Sequence, residues 1–557
     1  MAKSSRRLRS SQHLGADDAT AATPAADRKA RRRQQRQAAR AKRELIRYIL
    51  AAMVLAAIIG LLLGMLGEFR LAVGAAVATL CLTLSFKYPR QALFAFIVYL
   101  PFSGTVTYAL GGGSILQLAK DAIYIPALIG VWQFCRKTQQ PLIVPRAIQA
   151  PLLLLLILLG LTLLLVNGPQ QLQAQGENSL LIGILGLKVL LGYLPVIACI
   201  YYLIRNRQDL YLLLRIQVVL VIICCALGLV QYLMLRTGLC AGTVDCVAEE
   251  CFKASLEARC LVGGSLLYQP TYGQIRLPGT FVAPWQWGWF LIASSFFSFG
   301  TAFSDRNPFW RLMGLISLAA ILVMAVVSGQ RIALMLVPLT ITGLLLLTGQ
   351  IANLKRFIPA GLALGLILTV LLQQQPELVA TRWQSFVDRW QAAPPHVFIA
   401  QQFAWAQEQQ QGILGQGIGR GTNAARIFGQ VELVETYHPK LLFEIGPLGL
   451  LAVLLLYGTL SYATFKAYRR IHSPDLRGYG ASMFMFVVFI SFFPYYYPLD
   501  VDPVNVYYWL AAGIALKIPE IEQQEQLQQK RDESGGKGLS RCDRKRLKAQ
   551  ERTVTFD

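Results

Sequence analysis

The sequence predicts an all-α fold, a polytopic bundle of transmembrane helices, and three observations carry that expectation. Only 15% of the 557 residues are charged while 55% are hydrophobic, against roughly a quarter charged in an ordinary soluble domain. The mean hydropathy is positive, +0.46. The apolar residues also fall in runs of about 17–25 that carry few charges, the length that crosses a bilayer as a helix. Together these exclude a disordered chain, a fibre, a disulfide-stapled mini-protein and most soluble enzymes.

Taken in order, the chain opens with a basic, disordered tail over 1–47. Seven spans are then expected within 48–235, at 48–66, 71–86, 91–106, 117–134, 148–166, 180–203 and 210–235. A polar loop over 236–284 holds four cysteines. Central spans at 285–303, 312–328, 332–349 and 357–373 occupy 285–373, and a large loop covers 374–439. Spans at 440–464, 479–494 and 504–518 close the membrane part within 440–518, before a second basic tail over 519–557. That makes about fourteen spans. Inside the large loop Val379, Trp383, Phe386, Val387 and Trp390 fall on one helical face, with Arg382, Asp388 and Arg389 off it. This predicts an amphipathic helix ended by Pro394 and Pro395, with His396 opening a second.

The net charge of +23 points to membrane lipid and not to nucleic acid, because it is concentrated in the tails. Arg6, Arg7, Arg9, Arg28, Arg40, Lys42, Arg43 and Arg47 crowd the first; Arg541, Arg544, Lys545, Arg546 and Lys548 crowd the last. Such blocks are solvated segments held near an anionic membrane surface. The first is too long and too basic for a signal peptide. With the N-terminus inside, about 39 of the 53 Lys and Arg fall on the inner side, about 11 outside and three within spans. The loops alone pass the same test: 107–116, 167–179 and 495–503, all outer, carry none. Both termini are thus expected in the cytoplasm and both large loops outside. Cys240, Cys246, Cys251 and Cys260 share the first of these loops, in spacings that suit two disulfides better than zinc; three pairings are possible.

Few residues can carry chemistry. His13 and His472 are expected to be exposed polar residues. His438 stands in Glu435-Thr436-Tyr437-His438-Pro439-Lys440, where the large loop enters a span, and an imidazole there can take a proton from a hydroxyl. Arg276, in Arg276-Leu277-Pro278-Gly279-Thr280-Phe281, and Arg331, in Ser328-Gly329-Gln330-Arg331, both border spans, where guanidinium groups suit phosphate oxygens. Within spans, Lys120 and Asp121 are expected to neutralise each other and Arg215 to snorkel to an inner end; the alternative is that these residues and Lys188 line a polar path. The run Gly412, Gly415, Gly417, Gly419 and Gly421 lacks the lysine and the strand–helix context of a nucleotide loop and reads as a tight turn.

Taken in order and in this topology, these motifs resemble the O-antigen ligase and O-antigen polymerase family of bacterial envelope glycosyltransferases, over about 270–455. Arg276-Leu277-Pro278-Gly279-Thr280-Phe281 with Pro284, the Ser328–Arg331 turn and the Leu414–Gly419 run are similar to three of its stretches. His438, Leu442, Glu444, Gly446 and Gly449 are similar to a fourth. Trp285 and Pro439 stand where the family has asparagine. The resemblance implies a GT-C-like, metal-independent, inverting glycosyltransferase in the bacterial inner membrane, with no cofactor. Its donor would be an undecaprenyl-pyrophosphate-linked glycan, and its acceptor a glycan or lipid hydroxyl. Arg276 and Arg331 would bind the pyrophosphate, with Arg420 as a further substrate-binding candidate, and His438 would activate the acceptor. Glu435 or Glu432 would orient that histidine or replace it as base. Two other readings stand beside this one: a small-anion, bicarbonate-like transporter, and a scaffold acting through its basic tails.

Overall fold

The computed structural model describes residues 24–65, 69–109, 120–173, 177–243, 254–255, 258–269, 274–350 and 394–533, with isolated helical positions between 365 and 392. The chain divides into two units, 1–84 and 85–557. In the first, α1 (Pro24–Gly64) is followed by α2 (Phe69–Lys87), which runs past the boundary. The two helices meet through small residues: a Cβ on Gly60 would lie 3.0 Å from Ala76 and 3.1 Å from the Ala72 carbonyl. Close backbone approach of this kind is how apolar helices associate without a hydrophobic driving force. Starting at Pro24, α1 enters the segment expected to be a disordered tail. Ala, Arg, Gln and Lys dominate that stretch and are strong helix formers, so the apolar helix propagates backwards through them.

The second unit is a helical bundle. It begins with α3 (Pro89–Tyr99), α4 (Ser103–Ala109), α5 (Asp121–Thr138) and α6 (Gln149–Thr162), which continues through a π-turn into α7 (Gly168–Gln173). Next come α8 (Ser179–Leu191), α9 (Val196–Leu203) and the long α10 (Arg207–Arg236). A small antiparallel hairpin, β1 (Leu267–Gln269) and β2 (Gln274–Arg276), pairs Leu267 with Arg276 and Gln269 with Gln274. It precedes α11 (Pro284–Ser304), α12 (Pro308–Val327) and α13 (Arg331–Leu347). The remaining helices are α14 (Pro395–Glu408), α15 (Tyr437–Arg469), α16 (Pro474–Phe492) and α17 (Val504–Glu533).

Among the described residues eight helices are long and apolar enough to cross a membrane, and two shorter apolar ones cover Ala72–Lys87 and Arg331–Leu347. The chain is therefore an all-α, multi-pass membrane protein. Three further expected spans, at 117–134, 285–303 and 504–518, are helices α5, α11 and α17. The one at 357–373 lies outside the described residues apart from Gly365 and Thr369. Why α11 is less apolar than its neighbours follows from its place. It packs against α10, α12, α13, α16 and α17, and every residue from Trp287 to Ser304 is buried. A helix surrounded by protein can carry polar residues where they find partners: Ser295 meets Thr340 at 3.0 Å, Ser298 meets Ser317 at 2.7 Å, and the Ser482 hydroxyl donates to the Phe296 carbonyl at 2.5 Å.

In the polar segment before α11, Cys240 and Cys260 form a disulfide with a Cα–Cα distance of 5.6 Å. Cys246 and Cys251 lie outside the described residues. Gln231 of α10 ties this segment down by donating to the carbonyls of Cys260 (2.9 Å) and Val262 (2.5 Å). In the large loop, α14 begins at Pro395, so His396 opens a helix as expected. Of the amphipathic stretch before it, Val387, Asp388 and Trp390 are helical; Val379, Arg382, Trp383, Phe386 and Arg389 lie outside the described residues.

Candidate functional site

Arg276 ends β2, and Arg331 is the first residue of α13. The chain brings the two motifs together: the amide of Leu277 donates to the carbonyl of Ser328 at 3.1 Å. The turn at Gly329 has φ +70°, and that at Gly279 φ +56°, where a Cβ would lie 2.4 Å from the Trp287 ring. Only glycine allows either turn without strain. Arg276 is exposed and forms no ion pair among the described residues; Arg331 is half-buried. Next to it Gln330 packs on Gly288 of α11, with its amide nitrogen buried and without a hydrogen-bond partner.

His438 stands one residue into α15. It is 7% exposed, hydrogen-bonds the backbone of Ser491, and leaves its Nε2 buried without a partner. A buried ring nitrogen without a protein partner can bond a polar group that reaches it. The segment after α16 anchors this helix start: the Tyr437 amide donates to the Tyr496 carbonyl at 3.0 Å, and the Tyr437 and Tyr457 hydroxyls meet at 2.8 Å. Trp289 stacks edge-on against Phe493, 5.6 Å between centroids. The starts of α11, α13 and α15 therefore share one end of the bundle, with the end of α16 between His438 and the arginine motifs. Aligned helix N-termini favour negative charge at that end.

The other expected site residues are placed differently. Glu435 accepts no hydrogen bond from His438; its amide donates to the Gln402 side-chain oxygen at 3.2 Å, and its carboxylate faces Tyr497, whose hydroxyl burial and then that carboxylate push up from its ordinary value. Glu432 is exposed, bonded through its amide to the Arg420 carbonyl. Arg420 itself is engaged by protein: it pairs with Glu177 at 2.9 Å and donates to Gln170 and to the Gln430 carbonyl.

Lys120 and Asp121 do not neutralise each other as expected. Lys120 pairs with Asp502, and Asp121 pairs with Lys188 at 2.9 Å while accepting from the Tyr193 hydroxyl at 2.8 Å. Adjacent residues at a helix start project in different directions, so each takes a partner from another element. Burial opposes the charge on Asp502, yet the Lys120 and Lys188 ammonium groups prevail and keep its carboxyl below the usual range. Arg215 does more than snorkel. It forks onto the fully buried Asp305 through two 2.8 Å hydrogen bonds.

Sequence reasoning missed the charges beside His438. Lys440, 2% exposed, pairs with Asp500 and lies 3.8 Å from Glu444. The signal was present: a lysine and a glutamate four residues apart at the start of an apolar span must find partners, because an unpaired charge there is expensive. Glu444 in turn accepts from the Gly421 amide (2.8 Å) and the Thr422 hydroxyl (3.0 Å). The glycine run is thus no mere turn. It lies against a break in α15, where Gly446 has φ +68° and ψ −177° and Pro447 follows. The Gln416 and Gly417 amides donate to the Phe443 and Glu444 carbonyls at 2.8 and 3.1 Å, satisfying backbone groups that the broken helix leaves open. Asn167 fixes the other side, accepting from the Ile418 amide at 3.0 Å.

No group of three or more His, Cys, Asp or Glu among the described residues is arranged to hold a metal ion. No known protein-family model matches the chain, and no curated protein is significantly similar to it.

Proposed function

We propose that the protein is a membrane glycosyltransferase of the O-antigen ligase and polymerase type, which transfers a glycan from an undecaprenyl-pyrophosphate carrier to an acceptor hydroxyl. The observation that carries this reading is the 3.1 Å hydrogen bond from Leu277 to Ser328, which seats the Arg276 and Arg331 motifs side by side at the His438 end of the bundle. Paired guanidinium groups near helix N-termini suit a pyrophosphate and stabilise the charge it gains on departure. In the proposed step the acceptor oxygen bonds to the anomeric carbon from the face opposite the carrier. The bond from that carbon to the phosphate oxygen breaks, its electron pair leaves with the pyrophosphate, and the hydroxyl proton passes to His438 Nε2. The reaction needs no metal. Glu435 then acts through the electrostatics of the Tyr497 region, and Arg420 shapes the floor that the glycine run provides. The finer topology belongs to the same proposal: fourteen spans in a GT-C-like bundle in the bacterial inner membrane, both termini cytoplasmic and the large loops periplasmic.

The test is glycan transfer in membranes of a deletion strain complemented at matched expression. Wild type is expected to restore a lipid- or polymer-linked glycan, and Arg276→Ala, Arg331→Ala and His438→Ala each to lower the rate about 100-fold or more. An unchanged glycan profile with wild type refutes the reading. One feature favours a second: the break in α15 beside the buried Lys440 and Glu444 and the half-buried Asp500 is the arrangement from which transporters build ion sites. Uptake of a small anion such as bicarbonate by the same strains, dependent on Lys440, would establish that alternative.

A further inference from the structure

At the end of the bundle remote from His438, α10 lines a cavity of about 670 Å³ with one stripe of its surface. The stripe changes character along the helix. Gln208, Tyr211 and Arg215 come first, and Ile216, Val219 and Leu220 follow. Val98 of α3 and Trp310 of α12 complete the walls. All three helices belong to segments long and apolar enough to cross a membrane, and Val98, Leu212 and Val219 are exposed large apolar residues on this flank. Lipid is therefore the natural neighbour of the cavity.

Arg215 is the charged residue of the wall, and Arg311 stands beside the wall, next to Trp310. Arg215 lies 5.2 Å from the Tyr211 and Trp310 rings, which sets its guanidinium in the wall. Only its Nε and one terminal nitrogen bond Asp305, and a guanidinium has five N–H donors. Asp305 is served as well by the Asn307 amide at 2.8 Å and the Tyr479 hydroxyl at 3.4 Å. Arg311, next to Trp310, donates through its Nε to the Asp305 carbonyl and forms no ion pair among the described residues. Two guanidinium groups thus meet at Asp305, Arg215 on its carboxylate and Arg311 on its main-chain carbonyl. The nearby Arg90 and Arg306 are matched separately, by Asp209 and Asp475.

We propose that this groove binds one anionic glycerophospholipid of the surrounding bilayer. Its phosphate lies at Arg215 and Arg311, and one acyl chain runs along Ile216, Val219 and Leu220. A basic head region joined to an apolar channel between membrane helices matches an amphiphile in charge and in polarity gradient. The site is separate from the transfer site and holds whether or not the proposed reaction is correct.

The experiment uses the full chain, purified in mild detergent, stripped of lipid and titrated with phosphatidylglycerol or phosphatidylcholine, with bound lipid counted by native mass spectrometry. One phosphatidylglycerol is expected per chain, in clear preference to phosphatidylcholine. Arg311→Gln is expected to weaken phosphatidylglycerol about fivefold, Arg311→Lys to restore it, and Val219→Trp, which fills the apolar half, to abolish binding of both. Equal affinity for the two lipids, or no effect of Arg311→Gln and Val219→Trp in protein of unchanged melting temperature, overturns the proposal. A photo-crosslinking residue at position 219 gives an independent answer: a lipid adduct supports the site, whereas adducts only with residues 351–383 or with a second copy overturn it.

Discussion

Lys440 shows how much a single buried charge decides. Its ammonium group is enclosed by protein and balanced by Asp500 and Glu444, so removing it leaves two carboxylates facing each other without a cation. Breaking a buried pair from one side costs about 3–5 kcal/mol. Lys440→Met is therefore expected to lower the melting temperature sharply in detergent; an unchanged transition would show that the pair contributes nothing. Glu177 gives a milder, pH-dependent case. The hydrogen bond from Arg420, then that from the Gln430 amide, keep its carboxyl below its ordinary 4.5. The folded state thus binds fewer protons than the unfolded one, so stability from this contact is full above about pH 4.5 and is lost as pH falls through the lowered value. Glu177→Gln is expected to flatten the acid limb of the melting temperature measured between about pH 3 and 6. Both partners were visible in the sequence as residue types, but which charge meets which was not: Lys120 and Asp121 are neighbours in the chain and partners of other residues in the fold.

At the scale of elements, α15 joins two helices at a break, and the glycine run is its complement. Gly446 takes a left-handed φ, and a Cβ there would lie 2.2 Å from the Ile413 carbonyl. In the same helix a Cβ on Gly458 would meet nothing within 4 Å. Gly446→Ala is accordingly expected to destabilise the protein by about 1–3 kcal/mol, while Gly458→Ala is neutral or stabilises by up to about 1 kcal/mol. Thermal unfolding of the two variants side by side checks the contrast, and equal effects would mean that the break carries no strain. The sequence shows Gly446 and Pro447 together, a sufficient signal for an interruption. It does not show that residues 413–417 cover that interruption, because the contact joins segments separated by the start of α15 itself.

For the whole molecule, hydropathy and charge make the membrane class legible, and the bundle explains where they mislead. Spans facing lipid must be apolar all round, so Arg207–Arg236 and Arg146–Gln173 stand out at once, with mean hydropathy 2.7 and 2.6. α11 is buried from Trp287 to Ser304 and carries serines, glycines and tryptophans that lower its apolar signal. The two ends of the bundle also differ. One collects Lys120, Lys188 and Lys440 with their carboxylates; the other joins Arg207, Arg306 and Asp475, with Arg207 reaching Glu525 as well. The distribution of Lys and Arg among the loops predicts that the first end faces outward. A reporter fused after Glu533 is expected to be active in the cytoplasm, and a tag inserted between β1 and β2 to be accessible from outside. Finding both on the same side would reject this orientation.

The sequence by itself determined the membrane class, the helical content, the positions of most apolar helices and a short set of residues able to do chemistry, because these depend on local composition and periodicity. Only the tertiary structure decided how those residues meet. It joined Arg276 and Arg331 through Leu277 and Ser328, left His438 Nε2 buried and open, engaged Arg420 with Glu177, and found partners for Lys120, Asp121 and Lys440 in other elements. The physical reason is that a buried charge or open backbone group must be satisfied by whatever lies next to it in space, and spacing along the chain does not report that neighbour.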